Sequence, residues 1–301
     1  MQKDVTLGNK PVHGVNGKSA KKESQGIVVL RRLTRNKAAM VSLAVLMLLI
    51  LMAVLAPWIQ PYPYTKTNFI NTFGAPSPEH PFGTDSLGRD VLSRIMYGAR
   101  YSLSLGILAI LLSTAVGLVI GSIAGYFGGT TDIIVMRCLD VFQSIPSMLL
   151  CIAISTALGP GYFNTILALS VGNLPMTVRL LRASIFSIRN EEYIEAAVAI
   201  NCSTPRIILR HVLPNSISPL IVGGTMGVGN TILTAAALSF IGLGVQPPTP
   251  EWGAMISEGR NYIRTFPHLC IVPGIFIMIT VLALNILGDG LRDALDPKLK
   301  S

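Results

Sequence analysis

Charge is what this sequence most conspicuously lacks. Asp, Glu, Lys and Arg make up 13% of its 301 residues, about half the roughly 25% of an ordinary soluble chain. The shortfall is gathered into long uncharged runs, which excludes a soluble domain with charge spread over its surface. Cysteine is scarce too. Cys138, Cys151, Cys202 and Cys270 form no C-x-x-C pair, and no histidine stands at metal-ligand spacing from them. Neither a disulfide framework nor a zinc site is written into the chain. Three of the four lie in or beside apolar runs and read as small hydrophobes. A nucleotide-binding loop is missing as well. Gly14 to Ser19 resembles the end of one, but Val12 stands where the first glycine is required, and no strand precedes it. No nucleophile or set of metal ligands converges within the apolar runs, so the chain reads as having no catalytic site and binding no cofactor or metal of its own. The net charge of +9 comes from basic residues at the edges of the runs, the pattern of membrane boundaries rather than of nucleic-acid binding.

Six hydrophobic stretches remain. Residues 1–26 are polar and are expected to be disordered. Arg31, Arg32, Arg35 and Lys37 then precede an uncharged run from Ala38 to Ile59, long enough to cross a bilayer. That run is too long for a signal peptide's apolar region and ends at Pro57-Trp58 without a small-residue cleavage pattern, so it reads as an uncleaved first span. Further spans are expected at Tyr101 to about Ala124, Asp132 to Leu158, Phe163 to Leu181, Ser216 to Phe240 and Pro267 to Leu287. Gly159-Pro160-Gly161 divides the third from the fourth. With six spans both termini share one side. That side then holds 18 of the 24 basic residues, and the other holds Lys66, Arg89, Arg94, Arg100, Arg260 and Arg264. The excess orients the termini to the cytoplasm. The organisation is a basic cytoplasmic tail (1–37), a first span (38–59), an extracytoplasmic segment (60–100), a five-helix core (101–288) with a cytoplasmic loop at 182–213, and a cytoplasmic tail (289–301).

The loop has its own punctuation. Asn190 is a good N-cap, and Glu191 and Glu192 suit the positive end of a helix. Asn201 tolerates the left-handed conformation that ends helices. Thr204 followed by Pro205 reads as cap and first position of a second helix, and Pro214 marks the next bend. The small face at Ala196 and Ala197 would fit a partner's cleft; a helix lying on lipid is the plainer alternative. Pro146 and Pro175 permit kinks within spans. Asn173, Asn230 and Asn285 are polar at membrane depth, either bonding between helices or lining a path.

Several ordered motifs resemble one family. Glu195-Ala196-Ala197, Asn201 and Leu213-Pro214 look like the EAA loop of permease subunits of binding-protein-dependent ABC importers. His80-Pro-Phe-Gly-Thr-Asp-Ser-Leu-Gly-Arg-Asp-Val-Leu-Ser-Arg94, Gly125-Tyr-Phe-Gly-Gly129, Ser144-Ile-Pro146, Arg210-His-Val-Leu-Pro-Asn215, Leu238-Ser-Phe-Ile-Gly-Leu-Gly244, Pro247-Pro248 with Trp252-Gly253, and Asn285 to Pro297 are similar to the C-type subunit of the dipeptide, oligopeptide and nickel branch. The resemblance covers roughly residues 30–300. Two positions depart from it: Asn201 replaces the usual glycine, and Ala235 stands where an acid is frequent.

The resemblance implies an all-α importer-permease fold and a multi-pass subunit of a bacterial inner membrane. It implies pairing with a second, homologous permease, two cytoplasmic ATPases that hold ATP and Mg2+, and an extracytoplasmic binding protein that delivers short peptides. The coupling residues would be Glu195, Ala196, Ala197, Asn201, Pro205, Arg206 and Pro214. Path-lining candidates are Ser144, Pro146, Asn173, Asn230 and Asn285. Nickel is the alternative cargo within the same family. A secondary transporter, the other class of function, would need ion-coupling carboxylates within the spans; Asp132 and Asp140 lie only near the end of one.

Overall fold

The computed structural model describes residues 25–295. The expectations for residues 1–24, the Gly14–Ser19 segment among them, and for the tail from residue 296 lie outside the described residues. Among those residues the chain is helical, with one isolated antiparallel bridge between Thr84 and Asp90. Four helices are long and apolar enough to cross a bilayer: α2 (Lys37–Ile59), α3 (Val91–Phe127), α10 (Ser218–Phe240) and α12 (His268–Leu295). The expected third span is broken into α4 (Gly129–Gln143) and α5 (Ser147–Leu158), bent by 81° about Ser144-Ile145-Pro146. Proline has no N–H and disfavours helix in the residue before it, so a sharp corner replaces the expected kink. The expected fourth span lies in α6 (Tyr162–Ile188). That helix is long, but Asn164, Asn173 and Pro175 dilute its apolar run, and it falls outside the four.

Two boundaries moved. α3 begins at Val91, well before Tyr101, so the end of the expected extracytoplasmic segment is helical. A helix not expected from the sequence, α1 (Gln25–Arg35), precedes the first span; Asn36 separates the two and caps α2 by accepting from Ala39 N at 3.1 Å.

The centre of the bundle is the contact between α3 and α6, the most extensive helix pairing in the chain. Gly117, Gly121 and Gly125 recur every four residues along one face of α3. A methyl group at each would sit 2.7 Å from Thr177 Cγ2, 3.2 Å from Leu181 Cβ and 2.9 Å from Ile185 Cβ of α6. The three partners recur at the same interval, so one glycine row receives one side-chain row. Small residues at four-residue spacing are how helices approach closely where lipid supplies no hydrophobic drive. Ser113 and Thr177 hydroxyls add a 3.1 Å bond across the same seam. α10 packs on α3, α6 and α12, and α12 packs on α2.

The far end of the bundle, opposite the 182–213 loop, is closed by a buried charge network. Asp90 caps α3, accepting from Ser93 N and Ser93 Oγ at 2.7 Å each, while its other oxygen lies 2.9 Å from His80 Nδ1. Asp85 accepts from Arg89 Nε at 2.6 Å and from Arg94. Both arginines also reach Glu258 on α11 (Trp252–Gly259), Arg89 Nη2 at 2.8 Å and Arg94 Nη1 at 2.7 Å. Two cations and two carboxylates thus neutralise one another. Glu251 caps α11 and takes a 3.0 Å bond from Ser102 on α3, and Trp252 Nε1 donates to Ile95 O at 3.1 Å. The His80–Arg94 stretch therefore bolts two distant segments together.

Arg94 is 1% exposed. Arg94→Met would leave the Asp85 and Glu258 carboxylates sharing one cation, and breaking a buried pair costs about 3–5 kcal/mol. Thermal unfolding of the detergent-solubilised protein should show a large loss of stability. Arg94→Lys should recover only part of it, because a single ammonium cannot reproduce the fork.

Candidate coupling surface and translocation path

The loop between α6 and α10 is folded. α6 ends at Ile188, and Arg189 reaches back with Nη1 to Gly125 O at 3.4 Å, its guanidinium 4.1 Å over the Phe186 ring. α7 follows at Glu192–Ala199 with Glu191 at its N-cap, one residue later than Asn190, the cap read from the sequence. Its end is a Schellman turn. Asn201, at φ 60°, donates to Val198 O at 2.9 Å, and Cys202 N donates to Ala197 O at 3.1 Å. Asn is among the few residues that adopt this conformation readily, so Asn201 forms the turn that the usual glycine would. α8 (Thr204–Ile207) starts with Pro205 in its first turn, but Ser203 rather than Thr204 holds the cap position. A π-helical turn (Ile208–Val212) leads into α9 (Leu213–Ser216); Pro214 is taken up in the first turn of α9.

Ile194, Ala197, Ile207 and Val212 pack together against Leu181 and Ile185 of α6 and Leu220 of α10. Ala197 is 6% exposed. This corrects the orientation read from the sequence: Ala197 faces the chain's own core, and its small side chain seats α7 on α6. Glu195, Ala196, Asn201, Pro205, Arg206 and Pro214 are exposed. Val198, Ile200 (76% exposed) and Leu209 share that outward surface. Reading Ile194 and Ala197 as one face, three residues apart, would have given this phase.

The seat is tied further by charge. Arg182 Nε donates to Asp132 Oδ1 at 2.6 Å, and Arg179 pairs with Asp140, so α6 grips α4 in two places. The two carboxylates considered for ion coupling are thus both paired with arginine. Ser184 Oγ donates to Ser216 O at 3.0 Å, holding α9 beneath α6.

The five path candidates sit on different elements. Asn173 Nδ2 donates to Leu169 O at 2.8 Å and to Thr231 Oγ1 at 3.2 Å, so this side chain joins α6 to α10. Asn230 is exposed on α10, and Asn285 is half-buried on α12. Ser144 and Pro146 are exposed at the corner between α4 and α5, within an unbroken exposed stretch from 140 to 149. Ala235 is 1% exposed, packed with Leu105, Ala109 and Leu238. An acid at that position would be sealed in an apolar cluster; here methyl fills it.

Comparisons with known proteins agree with this architecture. Residues 117–301 match the family described as binding-protein-dependent transport system inner membrane component, and residues 24–76 match the N-terminal TM domain of oligopeptide transport permease C. The chain belongs to this family: it is a permease subunit of an ABC importer, of the C type. It is 46% identical over 271 residues to the dipeptide transport system permease protein DppC of Alkalihalophilus pseudofirmus, covering 90% of this chain and 89% of that one. It is 44% identical, with the same coverage, to the glutathione transport system permease protein GsiD of Escherichia coli. Among solved structures, an inward-facing MetNI methionine ABC transporter matches with a TM-score of 0.57 at 18% identity, covering 68% of this chain and 98% of that chain. That likeness concerns the fold alone.

Replacing Asn201 tests the turn. Asn201→Gly should leave it intact or strengthen it, whereas Asn201→Val should cost about 1–2 kcal/mol, the penalty of a left-handed residue with a branched Cβ. Hydrogen exchange of residues 192–207 should speed up in the valine variant alone.

Proposed function

We propose that the chain carries short peptides, of two or three residues, across a bacterial inner membrane as one of two permeases in an ATP-driven importer. The observation that supports this most is its near-full-length similarity to two permeases, one named for dipeptides and one for glutathione, itself a tripeptide. In this reading six segments cross the membrane: α2, α3, the bent α4–α5 pair, α6, α10 and α12. Both termini and the 182–213 loop are cytoplasmic. The network of Asp85, Arg89, Arg94 and Glu258 then lies on the outer side, where the binding protein arrives.

The ATPases bind ATP and Mg2+, and hydrolysis is theirs. The exposed surface of α7 and α8, formed by Glu195, Ala196, Asn201, Pro205 and Arg206 with Val198 and Ile200, is the docking face. Ala197 supports it from beneath. Because α7 rests on Leu181 and Ile185, which also contact Gly121 and Gly125 of α3, a push on α7 reaches the central helix pair through direct contact. Pairing of Asn173 with Thr231 makes it a tie between helices in the path wall. Ser144, Pro146, Asn230 and Asn285 remain the candidates for contact with cargo.

A pair of neighbouring substitutions separates docking from folding. Ala196→Arg places a long cation on the exposed face and should leave the loop folded while reducing co-purification of the ATPases and peptide uptake at least tenfold. Ala197→Arg buries an unpaired charge, which costs several kcal/mol, and should instead expose 192–213 to protease. Uptake of labelled di- and tripeptides that depends on this chain is expected. Chain-dependent uptake of nickel without peptide uptake would overturn the cargo assignment, and an Ala196→Arg variant with wild-type coupling would overturn the docking face.

A further inference from the structure

We propose that α1 is an interfacial helix that binds acidic phospholipid headgroups. One face of α1 is already occupied: Val29 and Leu33 pack with Ala39 of α2 and with Leu287, Leu291 and Ala294 near the end of α12. Gly290 lets α12 approach both neighbours, since a methyl there would lie 2.4 Å from Ala39 Cβ of α2 and 3.5 Å from Leu33 Cδ1 of α1. This contact fixes the helix against the bundle and determines what its other face shows.

That other face carries Leu30, 62% exposed, and the exposed cations Arg31 and Arg35, with Lys37 just beyond the Asn36 break. Arg32 is half-buried and is not counted among them. From residue 25 to residue 37 the sequence holds no Asp or Glu. The nearest acids along the packed partner are Asp289 and Asp293, both exposed on α12, with Arg292 exposed between them. α2 begins at Lys37 and enters the bilayer, so the three cations stand within about two helical turns of its start. A helix there, with a packed apolar face, an exposed leucine and a cluster of cations, fits an anionic lipid surface: Leu30 enters the boundary of the acyl chains while the cations meet phosphate. Of the aliphatic side chains described on this helix, Val29 and Leu33 are spent inside the fold and Leu30 is exposed, a small apolar surface for a protein partner.

The test uses the full-length chain, purified with its co-expressed partners and placed in phosphatidylcholine nanodiscs titrated with phosphatidylglycerol. Retained lipids are read by native mass spectrometry. The wild type should retain phosphatidylglycerol preferentially, and the preference should fall as KCl is raised. Arg35→Gln should weaken it on the order of fivefold, and Arg31→Gln with Arg35→Gln and Lys37→Gln roughly a hundredfold. Arg31→Lys with Arg35→Lys should keep it, and all variants should unfold at the wild-type temperature in pure phosphatidylcholine. A wild type that does not distinguish the two lipids, or whose preference ignores salt, overturns the proposal without reference to any variant. A glutamine variant that holds phosphatidylglycerol like the wild type overturns it as well.

Discussion

Everything in this chain depends on how closely α3 and α6 approach. A bilayer does not push apolar helices together, because lipid tails are as apolar as leucine. Contact must come from shape. The glycine row at 117, 121 and 125 supplies it by removing the side chains that would hold α6 away. With α6 fixed, Leu181 and Ile185 form the floor on which the 182–213 loop is built, and Arg182 and Arg179 hold α4 beside it. The proposed docking surface and the central seam therefore share Leu181 and Ile185 of α6. Widening the seam would move the loop.

The two ends of the bundle are held by different physics. At the 182–213 end, short helices separated by a left-handed turn rest on aliphatic side chains, with two arginine–aspartate pairs joining α6 to α4 beside them. At the other end, carboxylates and guanidinium groups interlock over buried positions, with capping residues Asp90 and Glu251 fixing where α3 and α11 begin. Ion pairs of this kind are directional, and a small shift loses several bonds together.

Much of this was legible in the sequence because its causes are local. Long uncharged runs gave α2, α3, α10 and α12. Gly159-Pro160-Gly161 gave the break before α6, and Asn201 gave the turn after α7. The similarity to C-type permeases was visible in the His80–Arg94 stretch and the motifs that follow it. What escaped had non-local causes. Arg94 meets Glu258 across 164 positions of sequence, so nothing near either residue announces the pair. Two adjacent alanines carry no information about which one faces inward until Ile194 sets the phase. Pro146 promised a kink, but whether a helix resumes in line after a proline is decided by what packs around it, and here it turns by 81°. The helix α1 was hidden by its own cations, which suit an unstructured boundary equally well.

The corner at Ser144-Ile145-Pro146 constrains what can lie beside it in a membrane. α4 has 15 residues and α5 has 12, so straight pieces of these lengths reach about 22 Å and about 18 Å, each short of a hydrocarbon core of about 30 Å. Neither half is a membrane span in its own right. Where they meet, main-chain groups leave their helical partners, and bare lipid cannot satisfy them. That corner needs a protein wall or a column of water beside it. In the importer proposed above, a second permease beside the corner would supply such a wall.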